Sequence, residues 1–342
     1  MTASEQARTM QTQVASIAPE DDLPHEPNEA PAWRESVYYE FLDPAAGVGS
    51  WQYIGERVNK NRAGLALGLW TADTGVYGRL EHSAVQRDDR SHECVGLKTT
   101  TIEPMRLHHI TYSGAMVGPH RLADGDYRLP PAAMRPGAST VMDSVPVEID
   151  LEWRAEGEAF TFQADLLTEY FAGHLEQFGR CRGTVSVDGR GYSVDAPAIR
   201  DRSWGERQWF GVDRYIFVWA PFKSGHMAVT QTLRHGVTDI TGAVAVDGRM
   251  VQLDRWEDSL EWWDGPGKAI PRGGRITVSD VNGGHHPVEV ELVAAVPSVF
   301  QDRSQNGRLA WIDRCVARFR RDGETVLGVL ESQQVVDRPE WF

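Results

Sequence analysis

From Val145 to Arg154 the chain alternates apolar and charged residues: Val145, Val147, Ile149, Leu151 and Trp153 share one face of an extended segment, and Glu148, Asp150, Glu152 and Arg154 share the other. A period of two sustained over this length describes a β-strand with one buried and one wet face, and it fits no helix. Phe160, Phe162, Ala164 and Leu166 repeat the pattern at once. Asp188-Gly189, Asp247-Gly248, Asn282-Gly283 and Asp322-Gly323 each stand between two such runs. Asp-Gly and Asn-Gly accept the positive φ angles of a tight hairpin, so the strands they join run antiparallel. The 33 glycines and 12 tryptophans among 342 residues suit closely spaced turns and pleated, half-buried surfaces. No amphipathic helix longer than about three turns is visible.

Residues 1–28 are polar and acidic and lack any period, and they read as a flexible tail. Order is expected from Pro31-Ala32-Trp33 onward, with strands over 33–41, 51–55 and 64–70. The second half uses the same grammar at 215–220, 227–233, 241–246, 275–292 and 311–336, without repeating the sequence. This length suits one large or two medium domains. The expectation is an all-β chain of two antiparallel domains, barrels or sandwiches, over 29–197 and 198–342.

A formal charge of −14 argues against binding nucleic-acid backbones or anionic membrane surfaces. Cys94, Cys181 and Cys315 are far apart, which gives neither a disulfide framework nor a zinc spacing. Residues 1–28 contain no apolar core of a signal peptide, and no run approaches the roughly 18–20 apolar residues of a spanning helix. A soluble, reduced, cytoplasmic protein is therefore expected, with a homodimer left open. There is no dinucleotide fingerprint, Walker loop, nucleophile elbow or HExxH motif. His108-His109 and His285-His286 would face opposite sides of a strand. Neither a metal nor a cofactor is expected.

The densest chemistry lies mid-chain, in Arg200-Asp201-Arg202-Ser203-Trp204-Gly205-Glu206-Arg207-Gln208-Trp209. Ionic groups crowded against indoles suggest a fixed network, either as glue between the halves or as the polar end of a pocket. If this stretch is extended, Asp201, Ser203 and Gly205 share one side, and Arg200, Arg202 and Trp204 the other. Asp201 could then face a pocket away from both arginines. A second candidate is Gly173 to Arg180, where His174 and Glu176 share a face with Phe178 and could form a proton-transfer pair. A hydrogen-bonded pair on a sheet rim is the alternative there, and an interdomain ion-pair clamp is the alternative at Asp201. Asp313 is in phase with Trp311, Cys315, Ala317 and Phe319 on an apolar face, where a carboxylate must be paired or protonated. Glu331 is a weaker candidate of the same kind. The tryptophans admit either core packing or an apolar, polycyclic ligand.

His174-x-Glu176-Gln177, Gly179-Arg180, Gly183-Thr184-Val185, Val187-Asp188-Gly189 and Arg200-Asp201-Arg202-Ser203-Trp204-Gly205 together resemble the lipocalin-like superfamily of AttH-like proteins and carotenoid 1,2-hydratases. That family's usual Arg-Asp-His-Ser-Trp-Gly has Arg202 here in place of histidine. The resemblance implies two packed lipocalin-like β-barrels, a hydrophobic cavity and no cofactor. It also implies enzymes that hydrate, dehydrate or cyclise isoprenoid or polyketide-like molecules. On this basis Asp201 or Glu176 is the expected proton donor, with His174 positioning water. Trp204, Trp209, Arg200, Arg202, Arg207 and Asp313 are expected around the substrate. A non-catalytic carrier of a hydrophobic ligand is the rival reading, and a purely structural partner without a cavity is a third.

Overall fold

The alternating runs pair with their sequence neighbours in a computed structural model, which describes residues 17–121, 128–161, 172–206, 210–246, 249–265, 268–301 and 308–337. These divide into two units, the first built from 17–161 and 172–206 and the second from 210–337.

The first unit opens with β1 (Trp33–Asp43), β2 (Val48–Arg57), β3 (Arg62–Thr71) and β4 (Gly75–Ser83) as a meander. The short strands β5 (Gln86–Arg87), β6 (Ser91–Cys94) and β7 (Leu97–Glu103) follow, and then β8 (Leu107–His120), β9 (Ser144–Ala155), β10 (Gly173–Val187) and β11 (Arg190–Glu206). β11 pairs with β1, and β8 gives its first half to β7 and its second half to β4. Eight antiparallel strands thereby close into a ring, with β5–β7 as an excursion. Closure removes the exposed edges that invite aggregation.

The second unit repeats this circuit. β12 (Arg214–Phe222), β13 (Gly225–Arg234), β14 (Val237–Val246) and β15 (Arg249–Asp258) form a meander, and β16 (Glu261–Gly265) is the excursion. β17 (Lys268–Asp280), β18 (His285–Gln301), β19 (Arg308–Arg321) and β20 (Glu324–Asp337) return to pair with β12, while β15 pairs with β17. In both units the excursion follows the fourth strand, so the halves share a topology that their sequences do not display.

Side-chain alternation fills the first ring. Val37, Tyr39 and Phe41 of β1, Leu65, Leu67 and Leu69 of β3, Ile149, Leu151 and Trp153 of β9, and Ala196 and Ala198 of β11 belong to one buried cluster. Each large apolar side chain in it contributes about 1.5–3 kcal/mol. Glu148, Asp150 and Glu152 of β9 point to solvent, as the alternation requires. The hairpins at Asp188-Gly189 and Asp322-Gly323 hold both residues at positive φ. The Asp247-Gly248 turn and the run Phe162, Ala164 and Leu166 lie outside the described residues.

The pairing of glycine with tryptophan has a direct cause, because indoles lie flat over glycines on the sheet. A Cβ built on Gly68 would meet Trp51 at 2.2 Å, and one on Gly179 would meet Trp153 at 2.3 Å. The ring takes the volume that the missing side chain leaves, as in other aromatic–glycine pairs in sheets.

Two expectations are corrected here. Residues 17–28 are not a loose tail: Pro19–Asp22 form a 3-10 turn and Asp22 is 0% exposed. Ion pairs hold this strap, and they leave no apolar period to read. The division expected at 197/198 falls inside β11, which belongs wholly to the first unit.

Gly179→Ala is expected to cost about 1–3 kcal/mol, because its Cβ meets the Arg154 carbonyl oxygen at 2.6 Å as well as the indole. Gly191→Ala, with nothing within 4 Å of the added carbon, should stay within about 0.5 kcal/mol of the parent. Urea denaturation of both variants measures the contrast, and equal midpoints would refute it.

Candidate functional site

The period of two divides the central stretch between the two faces of β11. Arg200 lies opposite Tyr39 and Arg202 opposite Val37, so both guanidiniums point into the first ring. The strap brings the neutralising charge. Arg200 Nη1 donates to Asp22 Oδ1 at 2.6 Å, its Nε and Nη2 donate to Gln177 Oε1 at 2.9 and 2.7 Å, and its guanidinium lies 5.0 Å over the Trp153 ring. Arg202 donates to Glu35 Oε1 and to the Asp22 carbonyl oxygen. Glu35 also accepts from Arg87 at 2.8 Å and lies 2.8 Å from His25 Nδ1. Glu56 lies 3.1 Å from His92 and 3.7 Å from Arg87. In this network three arginines thus face three carboxylates. Removing one partner of such a buried pair typically costs 3–5 kcal/mol (roughly), because the other is left uncompensated.

A proton-bearing chain runs through this network. Tyr39 Oη lies 3.0 Å from His108 Nδ1, and His108 Nε2 lies 3.2 Å from Asp22 Oδ2. Burial raises the Tyr39 pKa, so its hydroxyl stays protonated beside His108. Burial, and then the Arg200 charge, push His108 down to about 4. Burial opposes ionisation of Asp22, but Arg200, His108 and the Met105 amide outweigh it and hold the acid well below the usual range. Glu35 is likewise lowered, to about 2, by His25 and Arg202 against its burial.

The outer face of the same strands carries the other set. Asp201 lies between Tyr38 on β1 and Glu176 on β10, and Ser203 lies between Ser36 and His174. Directly opposed residues hold their Cβ atoms about 4.5–5.5 Å apart, so these form two adjoining rows. Tyr38 is 2% exposed and Glu176 5%, and Asp201 is half-buried. His174 Nε2 lies 3.3 Å from Glu176 Oε1, and the Ser36 and Ser203 hydroxyls are 2.8 Å apart. Phe178 follows Glu176 on this face and packs against Phe160 with ring centroids 5.1 Å apart. The structure therefore brings Asp201, Glu176 and His174 together, on the face away from Arg200 and Arg202. Trp204 stacks on His25 at 4.1 Å and lies over Gly173, which ties it to the strap. Arg207 and Trp209 lie outside the described residues.

Asp313 belongs to the second unit, where it is buried and accepts from Trp311 Nε1 at 3.0 Å. Glu331 is buried there too, paired with Arg314 at 2.9 Å and accepting from the Tyr215 hydroxyl. Neither residue is on the strands that carry Asp201. Sequence reasoning missed Tyr38, Ser36, Asp22, Glu35 and His108. The alternation of Ser36, Tyr38 and Glu40 marks a polar face on β1, but only the β1–β11 register puts that face beside Asp201. Among the described residues, no group of three or more His, Cys, Asp or Glu could hold a metal ion.

The fold and site define a two-barrel, lipocalin-like protein. The chain belongs to the family described as "Domain of unknown function (DUF7064)", whose sequence profile matches residues 18–336. No curated protein matches it. Its fold is shared with three solved structures. The AttH-like protein NE1406 of Nitrosomonas europaea is 9% identical with a TM-score of 0.60, covering 88% of this chain and 92% of that one. Kievitone hydratase from Nectria haematococca is 9% identical with a TM-score of 0.54, covering 98% and 96%. CghA in complex with Sch210972 is 13% identical with a TM-score of 0.52, covering 90% and 89%.

Acidification tests the interior network. His108 has a lower pKa folded (about 4) than the usual 6.5, so the unfolded chain takes up a proton first as pH falls. Its contribution to stability is complete above pH 6.5 and is lost on the way down to about 4. Glu35, lowered to about 2 from 4.5, adds a second loss below pH 4.5. Melting temperature should therefore fall from pH 6.5 downward, and His108→Gln should flatten the part above 4.5. His226 in the second unit, lowered to about 4 by burial, leaves a residual slope. An unchanged slope in the variant would contradict the account.

Proposed function

We propose that this chain is a cofactor-independent enzyme that hydrates, dehydrates or cyclises a hydrophobic molecule of terpenoid, steroid or polyketide type by acid–base chemistry. The row Tyr38–Asp201–Glu176, with His174 beside Glu176, carries the reading: it gathers a phenol, two carboxylates and an imidazole on one sheet face next to Phe160 and Phe178. Asp201 or Glu176 transfers a proton to an alkene carbon, or to a hydroxyl that leaves as water. The carbocation forms against the π faces of the phenylalanines, where positive charge is favourable. In hydration, a water held by His174 adds to the cation and returns its proton to the His174–Glu176 pair. In dehydration the same pair removes a proton from the cation, and in cyclisation a second alkene attacks it and the pair then takes a proton from the ring cation that results. The fold shared with an enzyme named kievitone hydratase supports this class. A cytoplasmic location is part of the proposal.

Asp201→Asn and Glu176→Gln should each lower turnover by about 10²–10⁴-fold while the far-UV spectrum and ligand binding stay as in the parent. The assay incubates purified protein with a panel of isoprenoid alcohols and alkenes and reads gain or loss of one water by mass spectrometry. Full activity in both variants would end the assignment. A hydrophobic molecule that co-purifies with the wild type and is never converted would identify a carrier instead.

A further inference from the structure

Residues 17–32 are attached to the first unit differently from its strands. None of them takes part in strand pairing, and Asp22 is the one buried residue among them. Their polar contacts gather at three points. Asp22 takes the Arg200 Nη1 donor at 2.6 Å, the Met105 amide and, at 3.2 Å, His108, while its carbonyl oxygen accepts from Arg202 at 3.2 Å. His25 donates its amide to Glu35, holds its ring nitrogen 2.8 Å from the same carboxylate and accepts from Arg87 Nη2 at 3.0 Å. Asn59 Nδ2 donates to the carbonyl oxygens of Asn28 and Ala30 at 2.7 and 2.9 Å. Little apolar burial and many solvent-near polar contacts describe a segment that opens locally, at a lower free energy than the core. Pro19, Pro24, Pro27 and Pro31 restrict the released segment, which lowers the entropy lost when it docks again.

The ring keeps pairs of its own when this segment leaves. Arg202 still has Glu35, Arg87 still has Glu35 and Glu56, and Arg200 still has Gln177. Of these three, Arg200 alone loses its carboxylate, and water entering where Asp22 lay supplies the acceptor.

A route leads from the segment to the outer face. The His25 ring stacks on Trp204 with centroids 4.1 Å apart and planes 16° apart. Trp204 lies opposite Gly173, and its indole fills the place of a Gly173 side chain, 2.1 Å from a Cβ built there. The Trp204 carbonyl oxygen accepts from the Ala172 amide at 2.9 Å. His174 is the next residue of β10, 3.3 Å from Glu176.

We propose that residues 17–32 form an ionic latch, which lifts from the intact ring as a unit and whose docking fixes the start of β10 through His25 and Trp204. Any effect of the latch on chemistry rests on reading His174 and Glu176 as the acid–base pair. The lifting and its passage to β10 do not.

Hydrogen exchange of the full chain, read by mass spectrometry at neutral pH without substrate, tests both parts. In the wild type, amides of 17–32 should exchange at least about 100-fold faster than those of Val37–Phe41 and Ile149–Trp153, once intrinsic rates are divided out. Equal protection in the three segments would mean that the strap opens only when the ring does, and would overturn the latch. Asp22→Asn should raise exchange at 17–32 by about tenfold or more and raise it at 172–176 as well. Unchanged exchange at 172–176 in that variant overturns the link to β10. With His25→Ala as background, Asp22→Asn should still loosen 17–32 but add no further exchange at 172–176. The same rise in both backgrounds overturns the route through His25. Turnover is scored separately, so an inactive protein with a mobile latch sinks the catalytic reading alone.

Discussion

A charge placed inside a β-barrel has to be neutralised inside it, and this constraint organises the first unit. Alternation along β11 drives the Arg200 and Arg202 guanidiniums into an interior otherwise lined by Val37, Tyr39, Leu151 and Trp153. Neither could stay there alone, because an uncompensated ion in low dielectric loses several kcal/mol of hydration (roughly). The strap at Pro19–Asp22 supplies one carboxylate, β1 supplies Glu35 and β2 supplies Glu56. The network ties the strap, the excursion strand of Arg87 and the closing strands into one unit.

The same alternation separates structure from chemistry. Because Arg200 and Arg202 turn inward, Asp201 and Ser203 turn outward, and the arginines keep their donors for interior acceptors. Asp201 thereby points away from both flanking guanidiniums. It shares its face with Tyr38, Glu176 and Phe178. Trp204 looks from sequence like part of that wall. It serves the other face, stacked on His25, which bonds Glu35.

The two units show how weakly topology is written in residues. Both run four strands, an excursion and four strands, yet Tyr215, Glu331 and Arg314 stand on the strands of the second circuit that correspond to those of Tyr38, Asp201 and Glu176 in the first. A ring of eight strands needs alternation and turns, and many sequences supply them. The chemistry on each face is therefore free to differ.

From sequence alone came the strands, the antiparallel hairpins at Asp188-Gly189 and Asp322-Gly323, and the opposite orientations of Asp201 and Arg200. Each depends on neighbours a few residues apart, and local geometry settles such features. The partners of Arg200 and the companionship of Tyr38 with Asp201 were left to the tertiary structure. Asp22 and Arg200 are separated by 178 residues, and no periodicity records which strand closes a ring or in which register. Only the pairing of β11 with β1, set when all eight strands bury their apolar faces at once, decides which distant side chains meet.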